Sequence, residues 1–202
     1  MSSLSNGHAV SCFPTSLVAS VAEALDDGTR FEIGLIGSEG LLGWPSVLSF
    51  APEPQTAIVQ LGGGSALAIP TEALIDACSA SETLHIAMLR FAHAFSVQMS
   101  LTIVANLRDG IEQRLARWLL MLHDRIDGDA MAITHGELAG ALHVRRASIT
   151  DALHVLEGER MLRCTRGQIT VRDRAALTEI AGACYGPAET RYRMLIGDFG
   201  KS

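Results

Sequence analysis

Residues 134–157 read Thr134-His135-Gly136-Glu137-Leu138-Ala139-Gly140-Ala141-Leu142-His143-Val144-Arg145-Arg146-Ala147-Ser148-Ile149-Thr150-Asp151-Ala152-Leu153-His154-Val155-Leu156-Glu157, and this stretch decides the fold of the carboxy-terminal third. Thr134 followed three residues later by Glu137 is a capping box, so a helix begins there. Leu138, Leu142, Val144, Ile149 and Leu153 fall where two helices crossing steeply need apolar contacts, and Ala139 falls where only a small side chain fits between them. His143 occupies the connecting turn, which asks for positive φ, a region His tolerates better than most residues. The second helix opens with Arg145, Arg146, Ser148 and Thr150. In a helix-turn-helix those residues enter the major groove, where arginine pairs with guanine and hydroxyls reach phosphates or base edges. A helix start also attracts phosphate through its free N–H groups. The candidate DNA contacts are therefore Thr134, His135, Arg145, Arg146, Ser148, Thr150 and Asp151, with Asp151 able to accept from cytosine or to face away from the groove.

Beyond this pair, Leu156, Met161 and Leu162 close a small core, and Arg163 to Val171 reads as a hairpin with Arg166-Gly167 at its tip. A basic tip after the second helix is a wing, so Arg166 joins the candidate contacts. Two helices and a short turn also occur in proteins that never meet DNA. The expectation here rests on the cap, the small residue, the arginines and the basic hairpin occurring together.

Charge supports that reading by its distribution rather than its total. The net charge is −6. Residues 1–107 hold two arginines, Arg30 and Arg90, against nine acids, whereas residues 143–174 hold seven arginines and four acids. Such asymmetry marks a nucleic-acid-facing module joined to something else. Apolar residues make up 48% and charged residues 19%, a globular composition that excludes a disordered chain. No uninterrupted apolar run reaches the roughly 18 residues of a membrane span. Met1 to Gly7 is polar and unlike a secretory leader, so no membrane contact and a cytoplasmic location are expected. Cys12, Cys78, Cys164 and Cys184 lack any CxxC spacing, which argues for buried thiols rather than zinc or iron–sulfur ligands. The histidines are scattered, without a metal pair or a Ser-His-Asp context. No metal, no cofactor and no catalytic residues are expected.

Working outward, Asp127-Gly128-Asp129 separates this module from an amphipathic helix over 111–126 with Ile111, Leu115, Trp118, Leu119 and Leu122 on one face. Asp109-Gly110 separates that helix in turn from a Gly- and Pro-free run over 81–108. There Leu84, Met88, Phe91, Phe95 and Met99 recur at three- and four-residue spacing, with polar Gln98 beside them. Such a stripe faces either the protein's own core or a partner helix. Residues 8–70 are rich in short β-type runs. Residues 17–21 and 31–36 around Asp26-Asp27-Gly28-Thr29 read as a hairpin, and residues 56–61 and 65–69 around Gly62-Gly63-Gly64 as another pair of strands. Residues 185–202 are assigned no element.

The order of a β-rich half, a long helix, a second helix, a helix-turn-helix and a wing resembles the Crp/Fnr family of transcription regulators over about residues 8–184. The likeness is most specific in Gln113-Arg114-Leu115-Ala116-Arg117-Trp118-Leu119-Leu120 and in Leu138 to Leu162. It implies an α+β fold divided into a β-roll sensor (cupin-like, as in cyclic-nucleotide-binding domains) over 1–80, a dimerisation helix over 81–108, a winged helix-turn-helix over 109–184 and a tail over 185–202. It also implies homodimerisation through Leu84, Met88, Phe91, Phe95, Gln98 and Met99. Three departures qualify the likeness. Gly40-Leu41-Leu42-Gly43 and Gln55-Thr56-Ala57 stand where a cyclic-nucleotide binder carries its ribose-holding acid and phosphate-holding arginine, and a buried anion without an arginine is costly. Cyclic AMP is therefore not expected as an effector, and the sequence identifies no other. Arg146 keeps the family's base-reading position, but Ala147 and Asp151 replace its glutamate and second arginine, so the DNA sequence read should differ. Finally, residues 8–16 resemble a strand that normally follows two or three others, which gives a shortened sensor. The expected partners are double-stranded DNA, a second copy of the chain and, as a further candidate, RNA polymerase. The competing reading is an effector-sensing or protein-interaction module whose helix-turn-helix has lost DNA binding.

Overall fold

The computed structural model describes residues 10–49, 56–60 and 64–201, with the backbone alone for 56–60. Strands β1 (Val10–Pro14), β2 (Val18–Ala24) and β3 (Arg30–Ile36) are followed by the short helix α1 (Trp44–Ser49), then β4 (Thr56–Gln60) and β5 (Ala66–Pro70). Helices α2 (Thr71–Ala80), α3 (Glu82–Arg108) and α4 (Ile111–His123) lead into β6 (Ala130–Met131), α5 (His135–Ala141) and α6 (Arg146–Gly158). Strands β7 (Leu162–Thr165) and β8 (Gln168–Val171), then α7 (Arg174–Ala181) and α8 (Pro187–Leu195), complete the order. The expected α+β arrangement of strands, long helix and carboxy-terminal helix-turn-helix is present.

The amino-terminal strands form two antiparallel sheets, β1–β5 and β3–β2–β4. The β2–β3 hairpin closes as its sequence demands. Gly28 takes φ +83°, the Leu25 N–H donates to the Thr29 carbonyl at 2.8 Å, and the Asp27 carboxylate accepts from the Thr29 N–H at 2.8 Å. Val21 pairs with Gly34 and Ala22 with Glu32, so Ile33 is the extra residue of a bulge that sharpens the local twist. Strands β4 and β5, expected as one pair, instead join different partners. Strand β4 lies along β2 and β5 along β1. Helix α1 lies in the region read as strands and turns, α2 follows directly after that region, and α8 forms in the segment to which no element was assigned. Gln55 and the side chains of Thr56 and Ala57 lie outside the described residues, as do Met1 to Ala9 and Gly62-Gly63.

Two apolar cores lie on either side of the β2–β3 hairpin. One holds Ala19, Val21, Ile36, Leu41, Leu42 and Leu74 with Phe91 and Phe95 of α3. The other is the core of the carboxy-terminal domain, built on Leu115, Leu119, Leu138, Ile149 and Leu156, and it takes in Val18 and Leu35 from the hairpin. Successive strand residues point to opposite faces, so a hairpin buried on both faces is the common wall of the two.

Helix α3 differs from its expected use. Phe91, Phe95 and Gln98, expected at a dimer interface, are buried within the protomer, and Leu84, Met88 and Met99 pack against the same core. Gln98 occupies the free edge of β3. Its Oε1 accepts the Leu35 N–H at 2.7 Å and its Nε2 donates to the Leu35 carbonyl at 3.2 Å, as a neighbouring strand would. Gly34 makes this approach feasible, since a Cβ there would stand 2.8 Å from Gln98 Oε1 and 2.9 Å from the Phe95 ring. Helix α3 is also long and apolar enough, by length and composition alone, to span a bilayer. Leu, Ile, Val, Met, Phe and Ala on both of its faces give it that character, while Phe91 and Phe95 are packed in the amino-terminal core.

Candidate DNA-binding surface

The Thr134 side chain accepts the Glu137 N–H at 3.2 Å and the Glu137 carboxylate accepts the Thr134 N–H at 2.7 Å, which fixes the start of α5 as its sequence implies. The helix ends in a Schellman turn. The His143 N–H donates to the Gly140 carbonyl at 3.3 Å and the Val144 N–H to the Ala139 carbonyl at 3.0 Å, with His143 at φ +52°. Thus the turn's positive φ falls on His143, and Val144 folds back toward the apolar face. Arg114 of α4 donates to the Leu142 carbonyl at 2.5 Å and holds the turn to the domain.

Helix α6 follows, with Arg145 as its N-cap. Ile149, Ala152, Leu153 and Leu156 are its buried residues, and Ala139 of α5 is buried against the same core. At 100° per residue, Ala147, Asp151 and His154 line the face opposite, and all three are exposed. Arg145 and Arg146 are exposed at the helix start, with Ser148 and Thr150 half-buried beside them. The Thr150 hydroxyl donates to the Arg146 carbonyl at 3.1 Å and lies 3.0 Å from His135 Nδ1. With its hydrogen used on the carbonyl, Thr150 accepts from His135. These two candidates therefore tie the first turn of α5 to the first turns of α6 and leave Arg145 and Arg146 free to project. His154, one turn beyond Thr150, belongs to the same exposed surface and was not among the expected contacts. Its spacing from Ala147 and Asp151 on the helix was the available signal.

The wing is the hairpin β7–β8, with Gly167 at φ +73° in its turn and Arg163, Arg166 and Gln168 exposed. Glu157 near the end of α6 accepts the Cys164 N–H at 2.7 Å, so wing and second helix are held in one register. Burial and the nearby Glu157 charge push the Cys164 thiol up to about 11, and burial raises the other three thiols as well. Thiols held in their protonated form fit packing roles.

Neighbouring residues of β3 join this domain to the amino-terminal half beside the helix-turn-helix. The Phe31 ring of β3 lies 4.4 Å from the His143 ring in the helix-turn-helix turn. Next to it, the Glu32 carboxyl accepts from Trp118 Nε1 of α4 at 2.5 Å and from the Ser20 hydroxyl. Burial pushes Glu32 up to about 7, against the opposing pull of the Ser20 and Trp118 hydrogen bonds and of the Arg117 and Arg125 charges. Arg117 is itself buried, donating to the Cys184 carbonyl at 2.8 Å and the Gln98 carbonyl at 3.2 Å. Sequence reading had no handle on the Glu32–Trp118 pair, whose members stand 86 residues apart, or on the still more distant Phe31 and His143.

Residues 113–180 match the model of the Crp-like helix-turn-helix domain. No curated protein matches the chain by sequence. Among solved structures, a CRP-family transcriptional regulator from Thermus thermophilus is similar at TM-score 0.69 and 19% identity, over 87% of this chain and 89% of that one. FixK2 from Bradyrhizobium japonicum is similar at TM-score 0.70 and 18% identity, over 86% and 88%. The c-di-GMP-responsive global regulator CLP from Xanthomonas campestris is similar at TM-score 0.55 and 18% identity, over 81% and 84%. The fold of the chain is thus that of these regulators.

Proposed function

We infer that this chain, a Crp-like helix-turn-helix domain on the fold of the Crp/Fnr regulators, is a DNA-binding transcription regulator that works as a homodimer on a pseudo-palindromic operator. The observation that carries the reading is the exposed start of α6. Arg145 and Arg146 project from a helix whose position is fixed by a capping box, a Schellman turn and the His135–Thr150 hydrogen bond. Arg146 is assigned the base-reading role, and Arg145, Ser148 and the wing residue Arg166 the phosphate contacts. Asp151 and His154 face the groove and set the sequence preference. The start of α5, at Thr134 and His135, lies against a backbone phosphate.

The second copy docks on the outer face of α3. Ile86, Leu89, Ile103, Val104 and Leu107 are exposed there, Leu107 at 83%. Ile86, Arg90, His93, Val97, Ser100, Val104 and Leu107 follow alternating steps of four and three, the spacing of a two-helix seam. The regulator acts by binding rather than by turnover, and a DNA partner implies the cytoplasm. RNA polymerase is the machine it recruits or blocks. Cyclic AMP is not its effector on this reading, because the cassette residues that would hold it are replaced.

The test is selection of duplexes from a random pool by the purified protein, repeated with Arg146→Ala. A two-fold-symmetric consensus that relaxes at one position per half-site in the variant supports dimer, operator and reader together. Failure to enrich any duplex at low salt, where phosphate contacts are strongest, overturns the reading in favour of an interaction module.

A further inference from the structure

Residues 187–201 lie beyond the matched domain, yet they are folded back onto the molecule. Helix α8 runs along α3 with Ala188 and Glu189 buried. Tyr192 donates its hydroxyl hydrogen to the Glu39 carbonyl at 2.7 Å, and its ring lies 5.0 Å from that of Phe199. Phe199 in turn covers the Arg125 guanidinium, 4.9 Å from the ring centroid. Arg125, two residues past the end of α4, is ion-paired to Glu39 at 2.8 Å with both side chains buried. Farther on, the Lys201 N–H donates to Asp124 at 3.0 Å and the Lys201 carbonyl accepts from Arg174 of α7 at 3.0 Å. A single short segment therefore touches the long helix, the β-rich half at Glu39, the end of α4 and α7.

The two halves are joined in the chain by Asp109-Gly110, and their other ties, at Val18, Phe31, Glu32, Leu35 and Gln98, cluster at the β2–β3 hairpin and the α3 residue on its edge. A body held at one place can pivot about it; a second tie elsewhere removes that freedom. We propose that residues 187–201 are a brace that fixes the angle of the DNA-binding domain on the long helix and so sets the half-site spacing that the dimer accepts, with Arg125 as the positioning residue. This rests on the operator-binding reading above. In a symmetric dimer the long helices set the two-fold axis, and the angle at α4 sets how far apart and in what mutual rotation the two α6 helices lie. One base pair added to the spacer moves a half-site by roughly 3.4 Å and turns it by about 35°. A rigid pair must deform the DNA to follow, and a pair free to pivot need not.

The experiment uses the full chain and a Tyr192→Phe/Phe199→Ala variant, which opens the cover over Arg125 and leaves Glu189 and Arg117 in place. Both are titrated by fluorescence anisotropy against the selected operator and versions with one base pair added to or removed from the spacer. The wild-type protein should lose about tenfold in affinity on either change, and the variant about two- to threefold, with matched-operator affinity within about threefold of wild type. Equal discrimination by both proteins overturns the brace. Arg125→Lys, which keeps the charge for Glu39 but loses the planar face under Phe199, should give the same loss of discrimination if the double variant unfolds. Amide exchange over residues 109–126 gives a readout independent of DNA. Faster exchange in the variant supports the brace, and unchanged exchange overturns it even if the wild-type protein enriches no duplex, the result that sinks the operator reading instead.

Discussion

Glu32 gives the sharpest physical prediction. Its carboxyl is enclosed between β3 and α4, accepting from Trp118 Nε1 and the Ser20 hydroxyl, and burial raises it from its ordinary 4.5 to about 7. The folded protein therefore keeps this proton across a range in which the unfolded chain has lost it. Stability contributed by the group is fully present below pH 4.5, falls as pH rises toward 7, and levels off above. A shift of that size corresponds to about 3 kcal/mol. Glu32→Gln removes the titration while an amide oxygen still accepts from Trp118. The variant should match wild type within about 1 kcal/mol near pH 5 and be more stable by about 3 kcal/mol at pH 8, a shift of roughly 1 M in the urea midpoint. His123 works in the opposite sense. Burial lowers it, Arg174 donates to its Nδ1 at 2.9 Å, and its contribution is lost as pH falls below 6.5. Only the difference between variant and wild type isolates Glu32. Urea unfolding followed by far-ultraviolet circular dichroism from pH 5 to 8 provides the test, since Trp118 fluorescence itself feels the carboxyl. Parallel curves for the two proteins would refute the argument.

Three further outcomes follow from particular contacts. Gly34→Ala places a methyl 2.8 Å from Gln98 Oε1 and should cost roughly 1–3 kcal/mol of stability by chemical unfolding, whereas Gly28→Ala, with open space but φ +83°, should lose only its backbone preference of about 1 kcal/mol. Arg160 sits at φ +60° in the Schellman turn that ends α6, where its N–H donates to the Glu157 carbonyl and that of Met161 to the Leu156 carbonyl. Arg160→Gly should therefore raise stability by about 0.5–1 kcal/mol, and a loss in thermal unfolding would contradict the turn assignment. A double-mutant cycle on Phe31→Ala and His143→Ala should give a coupling of about 0.5–1 kcal/mol across the two halves, and strict additivity would show that the rings do not interact in solution.

The helix-turn-helix was legible because its signals are local. A cap three residues from its partner, a residue tolerant of positive φ in the turn and two apolar faces at helical spacing all act within residues 134–157. The β2–β3 hairpin was legible for the same reason, through Asp27-Gly28 and alternating strands. Pairing between strands far apart was not, because nothing in Thr56–Gln60 states that its partner is β2 rather than β5. Helix α8 hid behind Gly186-Pro187, which reads as a break although Pro favours the first turn of a helix and the Glu189 carboxylate caps the Gly186 N–H at 2.9 Å. The contacts of Glu32 with Trp118 and of Arg125 with Glu39 span 86 residues each. A charged residue amid apolar neighbours can mark a buried ion or a solvated loop, and only the fold distinguishes the two.

Helix α3 shows most clearly why periodicity alone assigns a face without assigning its partner. Leu84, Met88, Phe91, Phe95, Gln98, Thr102 and Ala105 follow steps of four and three, and so do Ile86, Arg90, His93, Val97, Ser100, Val104 and Leu107. The second series is the first moved on by two residues, a turn of about 200°, so one helix carries a seam on each side. The aromatic series is the richer in sequence and was expected to meet a second copy, yet Phe91 and Phe95 fill the protomer's own core and Gln98 closes the edge of β3. What remains outward is smaller and more polar, with Arg90 and His93 in its middle and Val104 and Leu107 toward the DNA-binding domain. A pair of helices joined there would hold most firmly at the end nearest α4. That is also the end at which the position of each α6 is decided, so the apolar residues of the outward seam lie where rigidity bears most directly on operator recognition.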